Sequence, residues 1–358
     1  MLRRALITLD AVGGVWRYAV DVARGLESHG VDCLLVGFGS APDAAQQVEC
    51  GRSELVWTHE PLDWMVADGA ALARGSDMLA NLAREWNADI LHLNLPSQAC
   101  GLPDLCPVVV ASHSCVPTWW RAVRGTDLPD AWAWQVQRNQ AGFQRADAVI
   151  VPSNSHAAAL NEIYAQLPSL HVIYNATAVE PTDEPKEPLV LSAGRWWDPG
   201  KNGATLDEAA ATTPWPVILA GPLNGPNGQH VAFRHARTTG VLPHKEILAL
   251  MRRSAIFAAP SRYEPFGLAV VEAAISGAAL VLADIPTFRE LWRDAALFVA
   301  PDDSGGWSRV LAELAEDTVL RERLTATASA RARRFTLSRQ SAQLHALYST
   351  LTTPAVAA

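Results

Sequence analysis

The chain has 358 residues, a length that favours two domains at roughly 150 residues each. Hydrophobic residues make up 49% of it and charged residues 18%, which is enough apolar material for buried cores, yet no uninterrupted run of about 18 apolar residues predicts a membrane-spanning helix. The formal net charge of −8 disfavours nucleic acid as the main partner, because phosphate contacts need a basic surface.

The cysteines and the first residues indicate a cytoplasmic protein. Five cysteines without a C-x-x-C spacing argue against a disulfide framework and a zinc site, and they suit a reducing compartment. The first nine residues lead directly into a strand pattern and lack the apolar core and cleavage site of a secretory signal.

Apolar runs alternate with helical patterns along the first half of the chain. A helix is predicted over about 15–29, with Val15, Ala19, Val22 and Leu26 on one face. The runs are nearly continuous in apolar residues, as in parallel strands buried on both faces. The strands predicted here cover 4–8, 33–37, 90–93, 108–112 and 148–151.

A change of composition divides the chain. Residues 180–188, with the sequence EPTDEPKEP, cannot pack as a core, and we interpret 181–188 as a hinge between a domain over 1–180 and a domain over 189–336. The tail is predicted to be helical over about 304–351, with a break near 335–336. The second set of predicted strands covers 189–193, 217–220, 238–241, 255–259, 279–282 and 296–299.

This alternation predicts an α/β protein with two doubly wound, Rossmann-like domains facing each other across a cleft. Ligands of open parallel sheets bind beyond the carboxyl ends of the strands. The motifs described next all follow predicted strands, so we expect them on that rim.

The sharpest motif is the E-x7-E pair Glu264 and Glu272, which follows a predicted strand. We predict a helix over 267–276, with Pro265 tolerated in its first turn and Gly267 allowing close approach of a ligand. The free N–H groups of Phe266, Gly267 and Leu268 at such a helix start suit a phosphate. The carboxylates can hold hydroxyl groups on either side of a diphosphate. The alternative is a pair of ordinary surface acids.

Two further motifs follow strands. Arg195 and Lys201 lie in a loop before a helix predicted to start near Gly203, and a guanidinium with an ammonium suits a diphosphate leaving group. Gly13 and Gly14 precede the first helix and can cradle a phosphate. Two solvated basic side chains and a plain tight turn are the respective alternatives. The Gly pair does not form G-x-G-x-x-G, which argues against a nicotinamide dinucleotide site.

His113 follows the predicted strand 108–112 and can hydrogen-bond a sugar hydroxyl group, or it is a satisfied loop histidine. No G-x-S-x-G motif or nearby acid supports a Ser-His-Asp triad. His171, His235 and His244 have no metal-ligand spacing and are interpreted as structural or surface residues.

Taken in order, these elements resemble the retaining glycosyltransferases of the GT-B fold, family 4. The resemblance covers most of the chain. The segments that carry it are the Gly13-Gly14 loop, His113, 172–176 before the hinge, Gly194-Arg195 with Lys201, 220–222 and 264–272.

The resemblance implies a role for each matching residue. The first domain would be the acceptor side, completed by a C-terminal helix over 337–358, and 286–290 would lie at the acceptor or donor rim. The implied catalytic residues are Glu264, His113, Arg195 and Lys201. The implied donor-binding residues are Gly13, Gly14, Arg195, Lys201, Phe266, Gly267, Leu268 and Glu272, with Glu272 on the ribose.

The sequence departs from the family pattern in three places. Ala176 stands where the family usually has Gly, Trp16 follows the Gly pair where a smaller residue is common, and Trp119-Trp120-Arg121 is not part of the family motif. The aromatic and basic residues Trp119, Trp120, Arg121 and Arg124 allow a peripheral contact at the inner face of the membrane. An acceptor-pocket wall or core packing is the alternative that we favour.

The expected reaction transfers a sugar with retention from a UDP- or GDP-linked donor to a carbohydrate, lipid-linked or small-molecule acceptor. The donor is a co-substrate, and no other cofactor is expected. No Asp-x-Asp occurs in the chain, so no divalent metal is indicated. A sugar-nucleotide epimerase and a non-catalytic nucleotide-sugar-binding protein are the alternatives.

Overall fold

The computed structural model describes residues 2–165, 167 and 169–353. The chain forms two compact units. The first contains Met1–Ala176 and Thr336–Ala358, and the second contains Thr177–Phe335. Of the helix predicted over 337–358, residues 354–358 lie outside the described part of the chain.

Within the described residues, the first unit contains a seven-stranded sheet in the order β3-β2-β1-β4-β5-β6-β7, with all neighbours parallel. This order contains the arrangement 3-2-1-4-5-6 of the doubly wound fold, which reverses direction between β1 and β4. The strands are β1 (Arg4–Asp10), β2 (Asp32–Phe38), β3 (Glu54–Trp57), β4 (Ile90–Leu93), β5 (Val108–Ala111), β6 (Ala148–Val151) and β7 (Leu170–Val172).

Helices cover both faces of this sheet because its strands are apolar on both faces. The helices of the first unit are α1 (Gly14–Glu27), α2 (Ala44–Glu49), α3 (Ala73–Trp86), α4 (Val116–Arg124), α5 (Ala133–Arg145), α6 (Asn154–Asn161) and α13 (Leu337–Thr352). Ala5, Ile7 and Leu9 of β1 pack into one core with α1 and α13, whereas Leu6 packs into a second core with α3 and α5.

The described part of the second unit also contains a doubly wound sheet. Its six parallel strands have the order β10-β9-β8-β11-β12-β13, and the direction of the strand order reverses between β8 and β11. Its strands are β8 (Glu187–Ala193), β9 (Val217–Ala220), β10 (Arg237–Gly240), β11 (Ser254–Ala259), β12 (Ala279–Ala283) and β13 (Leu297–Val299). Its helices are α7 (Gly203–Ala210), α8 (His244–Arg253), α9 (Leu268–Ile275), α10 (Pro286–Trp292), α11 (Ser304–Glu316) and α12 (Thr318–Ala332).

The prediction of two doubly wound α/β domains is confirmed, while several local details differ. The short edge strands β3 and β7 were not predicted, because neither contains a fully buried residue and their apolar signal is weak. Strand β8 begins at Glu187, inside the segment predicted as a hinge.

The tail contains one more break than the sequence pattern predicted. The side chain of Asp317 accepts a hydrogen bond from the Leu320 amide at 2.8 Å and caps a new helix there. An aspartate at this position satisfies an otherwise unpaired amide of the first turn, which favours starting α12 over extending α11.

No helix in the described part of the chain combines the length and the apolar character needed to cross a bilayer.

Candidate functional site

Two loops of the second unit emerge at the point where the strand order reverses. Strand β8 leads into the loop with Arg195 and Lys201, and its neighbour β11 leads into the loop with Glu264. Both strands are parallel, so their carboxyl ends meet at one edge of the sheet. The crevice at such a reversal is where doubly wound sheets bind ligands.

Hydrogen bonds tie these two loops together. The Arg262 amide donates to the Gly200 carbonyl at 2.9 Å, and Asn202 Nδ2 donates to the Pro260 carbonyl at 3.0 Å. Lys201 Nζ forms an ion pair with Glu264 Oε2, and both side chains are about one-fifth exposed. The structure therefore brings Lys201 and Glu264, predicted from separate motifs, into direct contact.

Gly267 shapes the start of α9 beside this pair. Its φ of +91° is left-handed, and a Cβ atom there would lie 3.1 Å from the ring of Phe288 and 3.4 Å from Glu264 Cγ. Glycine has no side chain that could cap the first amides of α9, and no side chain caps this helix start. The positive end of the helix dipole then favours an anion close to Lys201 and Glu264.

The helix was predicted to begin at Gly267, which is one residue too early. Pro265 was predicted to lie in its first turn, which is also wrong. The helix begins at Leu268, and Pro265 precedes it in the loop. The left-handed Gly267 is the reason, since a residue in that conformation is not part of a right-handed helix. Phe266 anchors the loop, being buried with its ring edge-to-face against Phe335 at 5.3 Å.

Arg195 is held by its own loop. Its Nη2 lies 3.6 Å from Asp198 Oδ2, and its guanidinium lies 5.7 Å from the centre of the Trp197 ring. Its Nε is buried and has no hydrogen-bond partner within the described residues. The guanidinium is thus held in place near the end of β8 by Asp198 and Trp197.

Glu272 lies inside α9 and is only 5% exposed. Its Oε1 lies 3.0 Å from Nε2 of His244, the first residue of α8. His244, interpreted from the sequence as a structural or surface residue, thus contacts one of the predicted site carboxylates. Sequence spacing gave no signal for this pair, since 28 positions separate the two residues.

In the first unit, Gly13 and Gly14 lie directly after β1, at the start of α1. Gly13 is the N-cap residue and Gly14 the first helical residue, and no side chain caps this helix start. Asp10 at the end of β1 accepts a hydrogen bond from the Val12 amide at 2.8 Å and shapes the turn. Uncapped amides at a helix start again suit an anion.

His113 lies beyond the end of β5, where Asn94 and Tyr18 hold its ring. Its Nε2 is 2.8 Å from Asn94 Oδ1, and its ring stacks edge-on against Tyr18 at 4.2 Å. Burial, with the nearby His92 and His156, lowers the pKa of His113 to about 3. The imidazole is neutral at neutral pH.

The hydrogen bonds around Asn94 fix the tautomer of His113. Asn94 Nδ2 donates to the Thr8 carbonyl, so Asn94 Oδ1 is an acceptor and His113 Nε2 carries the proton. His113 Nδ1 is then a hydrogen-bond acceptor. Asn94 was not predicted, although its place directly after β4 is the same kind of signal that singled out His113.

The aromatic and basic cluster lies on α4. The Arg124 guanidinium lies 5.6 Å from the ring centre of Trp119 and 5.8 Å from that of Trp120, and Arg121 pairs with Glu162 at 3.3 Å. Both tryptophans are half-buried. The segment 286–290 forms the start of α10. Within the described residues no group of three or more His, Cys, Asp or Glu side chains is placed to hold a metal ion.

Comparison with known proteins places this geometry in a family. The family model described as Glycosyltransferase Family 4 matches residues 12–180, and the model described as Glycosyl transferases group 1 matches residues 184–331. The chain is 26% identical to a glycogen synthase of Mycobacterium tuberculosis, over 87% of this chain and 84% of that protein. It is 27% identical to a D-inositol 3-phosphate glycosyltransferase of Jonesia denitrificans, over 94% of this chain and 91% of that protein.

A solved structure of Alr3699/HepE from Anabaena, in complex with UDP-glucose, superposes with a TM-score of 0.75 at 19% identity, covering 97% of this chain and 100% of that one. This likeness shows the fold, which is GT-B. With both family models matched in order along the chain, the protein belongs to the family 4, group 1 glycosyltransferases and acts as a glycosyltransferase on a nucleotide-sugar donor.

Proposed function

We propose that the protein transfers a glycosyl group from a nucleoside-diphosphate sugar to an acceptor hydroxyl group, with retention of configuration and without a bound metal. The observation that carries the proposal is the Lys201–Glu264 pair beside the uncapped start of α9. This arrangement offers a cation and backbone amides to a diphosphate, and a carboxylate to the hydroxyl groups of the sugar attached to it.

Breaking the bond between the anomeric carbon and the diphosphate moves negative charge onto the phosphate oxygens. Lys201, Arg195 and the first amides of α9 supply positive charge there, in the role that a metal ion fills in other phosphate chemistry. The hydrogen bonds between the two loops fix the backbone on either side of Lys201.

Glu264 is placed to accept hydrogen bonds from the donor sugar once Lys201 turns to the phosphate. Glu272 lies in α9 and contacts His244 of α8. It is the candidate for binding the ribose hydroxyl groups. His113 of the first unit offers a neutral acceptor nitrogen to a sugar hydroxyl group. Retention follows if the departing phosphate oxygen takes the proton of an acceptor that attacks from the same face.

The donor is a co-substrate, and we propose a UDP- or GDP-linked sugar. The UDP-glucose complex of the structurally similar Alr3699/HepE supports the first choice. All five cysteines are free thiols, which supports a cytoplasmic location. Peripheral contact with the membrane stays a prediction, and α4 is the element to test for it.

The experiment measures release of nucleoside diphosphate from UDP-glucose and GDP-mannose, with and without added sugar acceptors, and determines the anomeric configuration of the product by NMR. Glu264→Ala and Lys201→Ala should each lower turnover by about 100-fold or more, because each removes a charged contact to the transition state. Glu208→Ala and Lys245→Ala, on exposed positions of the same unit, are the matched controls and should keep full activity.

Near wild-type turnover in either site variant would refute the assignment. An inverted product would refute retention. Conversion of the donor into an epimer without release of nucleoside diphosphate would favour the epimerase alternative.

A further inference from the structure

The loop from β8 to α7 contains one acidic side chain between the two cations assigned to the diphosphate. Asp198 follows Arg195 by three residues and precedes Lys201 by three. It is only 8% exposed. Removing a carboxylate from water is costly unless hydrogen-bond donors or cations compensate, so the partners of Asp198 indicate what it does.

Asp198 contacts Arg195 in two ways. Its Oδ2 lies 3.6 Å from Nη2 of the guanidinium, and its amide donates to the Arg195 carbonyl at 3.0 Å. The hydrogen bond closes a turn over 195–198 and brings the carboxylate beside the guanidinium. Asp198 therefore restricts a long side chain that is 37% exposed and would otherwise have more rotamers open to it.

Asp198 also fixes the turn that carries Lys201. Its Oδ1 accepts a hydrogen bond from the Gly200 amide at 2.8 Å, and its carbonyl accepts one from the Lys201 amide at 2.9 Å. Pro199–Lys201 form one turn of 3₁₀ helix, with Asp198 as its N-cap. An N-cap carboxylate satisfies an amide that the turn itself leaves unpaired. One carboxylate oxygen thus holds the backbone directly before Lys201, while the other faces Arg195.

The two cations are also joined by a packing contact. A Cβ atom on Gly194, the residue before Arg195, would lie 3.6 Å from Cγ and from Cδ of Lys201. The aliphatic stem of Lys201 therefore crosses the backbone next to Arg195. Both basic side chains leave one folded loop from neighbouring points, as binding of a single diphosphate requires.

A carboxylate in this place has an electrostatic cost. Negative charge beside Arg195 weakens the attraction of the site for a diphosphate, so charge alone does not explain an acid between the two cations. We propose that Asp198 is a positioning residue, which orients Arg195 with one oxygen and holds the turn of Lys201 with the other, so that both cations meet one diphosphate. The identity of that ligand rests on the proposed function.

Two substitutions separate the tasks of the two oxygens. Asp198→Asn keeps an oxygen that can accept from the Gly200 amide, but it replaces the charged partner of Arg195 with a neutral amide. Asp198→Ala removes both contacts. Each substitution takes one negative charge from the site, so both variants would bind a diphosphate more tightly if Asp198 only neutralised the cations. Positioning predicts the opposite sign.

Isothermal titration calorimetry of the full chain with UDP and GDP measures the effect. We expect Asp198→Asn to weaken binding about tenfold, as for one charge-assisted contact, and Asp198→Ala to weaken it about 100-fold, because the contacts of both cations are disturbed. In an Arg195→Ala background, Asp198→Asn should have no further effect, since the contact that it breaks is already absent. A purely structural N-cap would not show this coupling.

Asp303 provides a matched control. Its Oδ1 accepts from the Gly306 amide at 2.8 Å and its Oδ2 lies 3.5 Å from Arg309 Nη2, which is the same pair of contacts at the start of α11. Asp303→Asn should leave the affinity for both nucleotides unchanged. Melting curves show that each variant is folded at the temperature of the titration.

Unchanged or tighter nucleotide binding by folded Asp198→Asn would overturn the proposal, and so would a loss of affinity that persists undiminished in the Arg195→Ala background. If Arg195→Ala and Lys201→Ala bind both nucleotides like the wild type, the diphosphate site itself is wrongly assigned and the proposed function fails. If those two variants lose affinity while Asp198→Asn does not, only the role of Asp198 is wrong. A wild type that binds neither nucleotide overturns both.

Discussion

At the scale of single residues, the carboxylates of the candidate site in the second unit each contact a basic side chain. Lys201 pairs with Glu264, and His244 contacts Glu272. A donor with a diphosphate, a sugar and a ribose offers better partners to each carboxylate and to the lysine. Exchange of these contacts is therefore the expected first event of binding.

His244 provides a prediction at this scale. Glu272 is almost fully buried, so its orientation depends on the few donors that reach it, and His244 Nε2 is one of them at 3.0 Å. We expect His244→Ala to raise the KM for the nucleotide sugar by about tenfold with little change in kcat, because a ribose contact stabilises ground state and transition state alike. Steady-state kinetics in the donor concentration measures both constants.

The conservative variant His244→Gln keeps an N–H donor and should recover part of the affinity. His235→Ala, an exposed histidine in the same unit, is the control and should leave both constants unchanged. A loss confined to kcat would contradict the assignment of His244 as a residue that positions Glu272.

At the scale of elements, α13 shows how distant parts of the sequence complete one core. It begins at Leu337, yet it packs beside α1 against the sheet that starts at Arg4. Leu344 and Tyr348 are fully buried there, and the Tyr348 hydroxyl hydrogen-bonds His92 Nδ1 beneath the end of β4. The first unit therefore needs both ends of the chain.

Leu344→Ala tests this role. Removing a fully buried leucine side chain leaves a cavity, and we expect a loss of about 2–5 kcal/mol in the free energy of unfolding of the first unit. Urea unfolding followed by tryptophan fluorescence measures it. Gln343→Ala, on the exposed face of the same helix, should change stability by less than about 0.5 kcal/mol. Equal effects of the two substitutions would show that α13 does not contribute to this core.

At the scale of the whole molecule, the distribution of buried histidines sets the response to acid. Burial lowers the pKa of His92 and His156 to about 4 and that of His113 to about 3. All three lie in the first unit, near the carboxyl ends of β4, β5 and β6. They stay neutral in the folded chain at pH values where an unfolded histidine, with a pKa near 6.5, takes up a proton.

The unfolded state therefore binds more protons between about pH 6.5 and 4, and stability must fall as the pH falls through this window. We expect the first unit to lose a few kcal/mol per buried histidine by pH 4, with part of the loss visible at pH 5. Melting curves at pH 7, 6 and 5 measure the effect, in a range above the usual titration of aspartate and glutamate. A melting temperature that stays constant over this range would contradict it.

Much of the fold followed from local patterns. The central strands are short, apolar and separated by helical periodicity, so both the strand positions and the parallel, doubly wound arrangement were predictable. Edge strands β3 and β7 were not, because half-exposed strands carry mixed side chains. The loop residues Arg195, Lys201 and Glu264 were selected because they follow strands, and the structure brings Lys201 and Glu264 into contact.

By itself the sequence determined the elements, their alternation and the residues at the strand ends, since each of these depends on neighbours along the chain. Which side chains meet became visible in the folded chain. The contact of His244 with Glu272, the support of His113 by Asn94, and the pairing of Lys201 with Glu264 join residues far apart in sequence. Such contacts depend on how helices and loops pack on the sheet, and no local spacing encodes that packing.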